Sequence, residues 1–340
     1  MPTPPANKGR FAELHLHLGG AVLPNILHAY LKRHHAGRHP LLRRYPSVDA
    51  FERFFAQKRR SLDDYLQMHK LVEQIQRATS LDYFVKRLVR GVALFDNLAY
   101  IELRYTPYFR TDEHLDAEHR LRQMEEIVDS VTSAAQATLA KYPIRFRQIL
   151  CMHSTLDARV NRRIVDLALA RRPDVCAIDL AGPDRLYAHR LDELIALFKL
   201  ARRRGLNTTA HLYETADGCH PRLLPYLDRI GHGIQIPLAH PALLTDLRKR
   251  GQCLEVCPTS YLRTGTLKRY EDLKGVFRPC LDAGVPSAIG TDNSGLHQVR
   301  QPHEYESLLV ADVIDFAEMS ACHAASFDHA FDWRGPARAL

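Results

Sequence analysis

A parallel α/β protein, a (β/α)8 TIM barrel with a helical insertion after the first strand, is the fold this 340-residue chain predicts. Three observations carry that expectation. Eight short β-rich runs alternate with stretches of helical period, and such alternation implies a parallel sheet. No Gly-x-Gly-x-x-Gly follows the first run, which disfavours an open doubly wound sheet. The length fits one barrel of about 250 residues with insertions. Residues 1–340 therefore read as a single domain, with 1–10 and 333–340 as loose tails.

The first strand contains Leu14-His15-Leu16-His17-Leu18. Strand side chains alternate faces, so the two histidines share one face and the leucines the other. Leu23 to Leu98 has helical period. Within it Ser61-x-x-Asp64 opens Leu62–Gln76 like a capping box, and Thr79-x-x-Asp82 opens the next helix the same way. This first connection is long enough to lie over the barrel mouth as a lid. Ala99–Tyr105 is the second strand, then a helix around Leu121–Lys141 leads to strand Arg145–Met152. A helix near Arg159–Arg171 leads to strand Val175–Gly182. The helix Leu191–Arg204 stops at Gly205 before strand Leu206–His211, and Arg229–Ile236 is the sixth strand. Ala242–Arg250 stops at Gly251, followed by strand Cys253–Thr259. Val276–Ala283 stops at Gly284, followed by strand Pro286–Asp292, and helices finish the chain.

Composition narrows the function. Apolar residues make up 46% and charged residues 25%, the balance of an ordinary soluble globular protein. No N-terminal apolar run is long enough for a signal peptide or a membrane span. The seven cysteines are odd in number and lack any Cys-x-x-Cys. They read as buried free thiols in a reducing, cytoplasmic setting. The net charge of +8 is spread along the chain without a nucleic-acid motif, so nucleic acid is not the expected partner. An anionic small molecule is the more modest reading.

In a barrel of this kind chemistry sits at the C-terminal strand ends. His15 and His17 lie on strand one, and His211 ends strand five with Glu214 three residues on. His232 lies in Ile230-Gly-His-Gly233 on strand six, and Asp292 in Gly290-Thr-Asp-Asn293 on strand eight. Three histidines and one aspartate suit a zinc ion with room for water. Glu214 and His232 are left to move protons. Each residue alone also fits a plainer role, His232 in packing and Asp292 in a turn. Their joint placement at four strand ends favours a site.

With these residues in place the chain resembles the adenosine deaminase family of the amidohydrolase superfamily, from about Phe11 to Phe331. The similarity rests on Glu13-Leu-His-Leu-His17, Ser61-Leu-Asp-Asp-Tyr-Leu66, Ile101-Glu-Leu-Arg-Tyr-Thr-Pro107 and Ile178-Asp-Leu-Ala-Gly182. It extends through His211-x-x-Glu214, Arg229-Ile-Gly-His-Gly233, Leu254-Glu-Val-Cys-Pro-Thr-Ser260 and Thr291-Asp292. The resemblance implies one Zn2+ per chain, bound by His15, His17, His211 and Asp292, since Val175–Gly182 lacks the lysine that bridges two metals in binuclear relatives. It implies that His232 orients and deprotonates the attacking water. Glu214, held protonated, would donate to purine N1, and the backbone N–H of Gly182 would meet N3. Leu62, Tyr65 and Leu66 match the apolar gate of the lid.

The chain departs from the family pattern at four positions. Gly19 stands where nucleoside deaminases carry an acid that holds the ribose 5′-hydroxyl. Asn293 replaces a second aspartate that meets purine N7, and an amide can donate there at any pH. Tyr213 and Tyr261 replace smaller residues and are expected near the pocket mouth. Arg263, Lys268 and Arg269 follow strand seven, where barrels often build a phosphate site. The expected activity is zinc-dependent hydrolytic deamination of a 6-aminopurine nucleoside, adenosine or a derivative. Adenine and a 5′-anionic adenosine derivative, AMP-like or aminodeoxyfutalosine-like, are the alternatives, as is another mononuclear-metal amidohydrolase. The partner is a small purine; the sequence does not address oligomeric state.

Overall fold

The computed structural model describes residues 10–35 and 38–333. Among them are eight parallel strands. β1 is Phe11–His17, β2 Leu98–Tyr105, β3 Arg145–His153 and β4 Val175–Ala181. β5 has two runs, Asn207–Thr208 and His211–Leu212, followed by β6 Arg229–His232, β7 Cys253–Val256 and β8 Ser287–Ile289. Neighbours pair in chain order, all in parallel. Backbone bonds from Thr209 to Ile178 (3.0 Å) and from Gly231 to Ala210 (2.8 Å) carry the sheet across the gap in β5. The ring closes just beyond β8. There the Asp292 N–H donates to the His15 carbonyl at 2.7 Å, and the His17 N–H to the Asp292 carbonyl at 2.8 Å. The barrel expected from alternation is therefore the fold observed.

Residues between β1 and β2 form the expected helical insertion. Its longer helices are Pro24–His34, Val48–Ala56, Leu62–Ile75 and Leu81–Phe95. Leu81, Phe84, Val85, Leu88, Val89 and Val92 repeat at helical spacing and are all buried, which seats the last of these on the barrel wall. Ser61 caps Leu62–Ile75 as expected, its side chain accepting from the Asp64 N–H at 3.2 Å. Thr79 does not cap the next helix. It lies inside the 3-10 turn Ala78–Ser80, where the Ser80 hydroxyl already accepts from the Arg77 N–H at 3.0 Å.

Two strands are shorter than expected. β6 ends at His232 because His232 and Gly233 take φ of 63° and 70°, in the left-handed region. Residues expected as its end instead start the helix Gln235–Ala239. β7 stops at Val256 because Pro258 opens the helix Pro258–Thr264 at a position that needs no N–H donor. Gly251 and Gly284 end their helices in left-handed conformation, as expected. The tails 1–9 and 334–340 lie outside the described residues. Arg10 and Trp333 are not loose. The Arg10 guanidinium donates to the Leu98 carbonyl at 2.6 Å, and the Trp333 ring packs 5.1 Å from Phe327. Six cysteines are buried, Cys219 is half-buried, and all seven are free thiols.

The barrel interior below the site holds charges. Arg104 on β2 bonds Glu255 at 2.7 Å and Asp179 at 3.3 Å. Arg229 bonds Glu255 at 2.6 Å and Glu102 at 2.5 Å. All five side chains are within about 1% of full burial, and burial is tolerable because every charge is paired. Close packing also fixes the turn beyond β8. A Cβ on Gly295 would lie 2.6 Å from the Ala21 carbonyl oxygen, a backbone atom that cannot swing away. Gly295→Ala is expected to cost about 1–3 kcal/mol through overpacking. Urea unfolding would show this as a lower midpoint, and an unchanged midpoint would contradict it.

Candidate active site

Strand alternation puts His15 and His17 on the inner face of β1, and β5 brings His211 beside them. The ligand atoms of these three histidines lie within 4.8 Å of one another. His17 Nε2 and His211 Nε2 are 2.9 Å apart. Asp292 Oδ1 is 3.4 Å from His17 Nε2 and 3.8 Å from His15 Nε2. The second oxygen of Asp292 accepts from the Ser260 hydroxyl at 2.6 Å. Asp292 has a φ of 59°. Such a conformation in a non-glycine residue is held by its surroundings and is concentrated at functional sites.

Two buried carboxylates orient these rings. His15 Nδ1 bonds Glu255 at 2.6 Å, and His211 Nδ1 bonds Asp179 at 3.0 Å. Both carboxylates are held below the usual range despite burial, Glu255 by Arg104 and Arg229, and Asp179 by His211 and then Arg104. Each accepts a hydrogen bond at the ring's Nδ1 and leaves Nε2 aimed into the cluster. His15 Nε2 is buried with no hydrogen-bond partner. Burial pushes His15 down to about 4, with Arg104 adding to the effect, and also lowers His17 and His232. Asp179 instead raises His211 against the effect of burial. Three imidazoles, one orphaned nitrogen and an adjacent carboxylate are the donor set a zinc ion requires. The residues present fit the metal.

His232 Nε2 is 3.5 Å from Glu214 Oε2, and its Nδ1 is 3.4 Å from the Tyr261 hydroxyl. Burial, with the Asp292 charge nearby, raises Glu214 to about 8. Its carboxyl is therefore protonated at neutral pH beside groups that hold a cation. Together they face a cavity of about 570 Å3 that Leu62, Tyr65 and Leu66 cover from the insertion. Gly19, Gly182 and Asn293 also line it. Gly182 has a φ of 93°, and a Cβ there would lie 2.6 Å from the His153 ring and the Ser154 hydroxyl.

Five residues expected at the pocket or its mouth are elsewhere. Arg263 does not line the cavity. Its guanidinium donates to the carbonyl of Ala56 at 2.5 Å and of His297 at 3.4 Å, because the helix Pro258–Thr264 turns it against the insertion. Lys268 and Arg269 are exposed, with both backbone N–H groups bonded to Asp272. Tyr213 is buried in the core against His240, since it follows Leu212 at the strand end with a φ of 58°. Tyr261 is fully buried below His232, its hydroxyl accepting from the Cys257 N–H at 3.0 Å, and not at the mouth. Sequence reasoning gave no role to Asp179 or Glu255. An acid inside an otherwise apolar strand was the available signal, because such a residue needs a buried partner. Cys257 was likewise missed. Its thiol forms a second group with His15 and His232, the three ligand atoms within 4.8 Å of one another.

The Asp179 bond has a measurable consequence. Asp179→Asn is expected to lower metal affinity by about 10–100-fold, since carboxylates that hold ligating histidines contribute on that scale. Competition against a chelator would measure it. Unchanged affinity would show that other contacts hold His211.

A closed eight-stranded parallel barrel, with a histidine-rich cluster that could hold a metal ion and a protonated acid at the strand ends, has the layout of a barrel hydrolase. Residues 11–331 match the sequence profile of the family described as Adenosine deaminase, and the chain belongs to that family. It is a hydrolytic deaminase. A relative named Adenosine deaminase from Clostridium acetobutylicum is 27% identical over 314 residues, 89% of this chain and 87% of the relative. Two solved structures share the fold. An adenine deaminase from Arthrobacter aurescens has a TM-score of 0.76 at 18% identity, covering 95% of this chain and 94% of that one. An amidohydrolase from Burkhoderia ambifaria with bound Zn has a TM-score of 0.75 at 20% identity, covering 95% and 86%. No helix among the described residues is long and apolar enough to cross a membrane.

Proposed function

We propose that this chain deaminates a 6-aminopurine nucleoside, adenosine or an adenosine derivative, to the 6-oxo product and ammonia, with one Zn2+ held by His15, His17, His211 and Asp292. The observation that carries this is the oriented Nε2 cluster beside a carboxyl held protonated at about 8. Zn2+ supplies Lewis-acid activation of water when bound. Glu214 donates its proton to ring nitrogen N1, which makes C6 electrophilic. His232, 3.5 Å from Glu214 and backed by Tyr261, orients the attacking water and takes its proton. Water adds at C6 as its proton passes to His232, which returns that proton to the amino group. The C6–N bond then breaks, ammonia leaves, and the C6 hydroxyl gives its proton back to Glu214 as the 6-oxo product forms. Gly182 offers its backbone N–H to N3, Asn293 serves N7, and Leu62, Tyr65 and Leu66 exclude solvent from above. The free thiols suit a cytoplasmic setting.

The test is an ultraviolet assay of Zn-loaded protein on adenine, adenosine, AMP and an adenosine 5′-carboxylate, with Glu214→Gln as control. Amine-to-oxo conversion that the control loses supports the reading. No conversion across the panel, with metal bound, would defeat it.

A further inference from the structure

Building on the aminopurine deaminase reading, we propose that the cavity beyond Gly19 is an anion subsite, formed by His69, Lys70, Arg110 and Arg120, for a phosphate or carboxylate carried on the sugar end of the substrate.

The first observation is steric. Gly19 has no side chain, and a Cβ there would lie 2.8 Å from His69 Cε1, 2.9 Å from His69 Nε2 and 3.2 Å from an Arg110 Nη. Where the family resemblance places an acid, this chain therefore places an imidazole and a guanidinium. The Arg110 guanidinium attracts an anionic sugar substituent, and the His69 imidazole, which burial holds below its usual range, can offer it an N–H.

The second observation is unsatisfied donors. Arg110 is 1% exposed. Glu73 accepts from it at 3.1 Å and Gln76 at 3.5 Å, yet its Nε is buried without a partner. His69 Nε2 is also buried without one. A buried donor left unpaired is destabilising, and a bound oxyanion would relieve that.

The third is charge balance. Among the cations that line the cavity, Arg77 pairs with Glu113, Arg185 with Asp63 and Arg104 with Glu255. Lys70 forms no ion pair among the described residues. Arg120 bonds only neutral oxygens, the Thr111 hydroxyl at 2.8 Å and the Tyr108 carbonyl at 3.2 Å. Lys70 and Arg120 thus line the cavity without a carboxylate partner, beside an Arg110 guanidinium that Glu73 pairs on one side only, and these are the groups free to meet an oxyanion. Arg263 and the loop after β7 take no part.

The experiment is calorimetric binding of the 6-oxo ligands inosine, inosine 5′-phosphate and inosine 5′-carboxylate to the metal-loaded enzyme. At least one anionic ligand is expected to bind about 30-fold tighter than inosine, with the advantage shrinking as salt rises. Whichever anion is preferred identifies the source of the charge. Lys70→Gln, at an exposed position, is expected to reduce the anionic-to-neutral ratio about tenfold, and Arg110→Gln further. Inosine binding as tightly as both anions, or a ratio unchanged by Lys70→Gln, would overturn the subsite. Turnover of the matching 6-amino compounds reports separately. Turnover without anion preference would overturn the subsite and keep the deaminase. Anion preference without any turnover would keep the subsite and remove the deaminase.

Discussion

His17→Ala is expected to abolish deamination while leaving a folded barrel. His17 meets the Asp292 carboxylate but none of the buried acids beneath the site, and lies at the cavity wall, partly exposed. Its Nε2 is 2.9 Å from His211 Nε2, whose own proton is committed on the other side to Asp179. Removing His17 leaves two imidazoles and Asp292 to hold the ion. We expect metal content to fall well below one equivalent and kcat/KM to drop by about 10^3 or more. That corresponds to several kcal/mol of lost stabilisation at about 1.4 kcal/mol per tenfold. Metal analysis beside the assay decides it. Full metal retention with full activity would remove His17 from the ligand set. Because metal must displace protons, occupancy is also expected to weaken as pH falls.

Glu214→Gln is the second large effect. Glutamine keeps the shape of the side chain but cannot deliver a proton, so kcat is expected to fall by about 10^2–10^4. The pH profile separates this role from packing. Burial raises Glu214 to about 8, so the acid form predominates below that pH and is lost above it. Wild-type activity should therefore decline on the alkaline side of about 8, and the residual activity of the variant should lack that limb. Stability should move the other way. The folded chain keeps a proton that the unfolded chain, with an ordinary value of 4.5, releases. Stability is therefore lost progressively as pH rises from 4.5 towards 8, and Glu214→Gln removes this penalty. A variant both slower and more heat-resistant than the parent at pH 8 is expected. A variant with unchanged kcat would remove Glu214 as the proton donor.

Much of this was legible in the chain itself. Alternation along Leu14–Leu18 places two imidazoles on one face whatever surrounds them, because the period of a strand is a local property. Helical period and glycine stops marked the crossovers, and eight units implied a closed barrel. Strand-end position then grouped His211, Glu214, His232 and Asp292, which the structure does bring together. Periodicity could not say where a strand stops when the backbone turns left-handed at a histidine, as at His232.

Other features depend on which strands become neighbours. Asp179 and Glu255 read as acids in apolar runs, and only ring closure places them behind His211 and His15. Tyr213 and Tyr261 read as bulk at the mouth, yet one points into the core and the other supports His232 from below. Arg263 seemed aimed at substrate until the insertion folded across it and offered the Ala56 carbonyl. His69 and Arg110 lie 41 residues apart in sequence, yet they converge at the bare face of Gly19. The secondary-structure order, the barrel and the histidine-bearing strand ends follow from local period and spacing. Which charges are paired, which donors are left over and which side chains reach the cavity follow from folding. Those depend on distances between segments that the linear order does not contain.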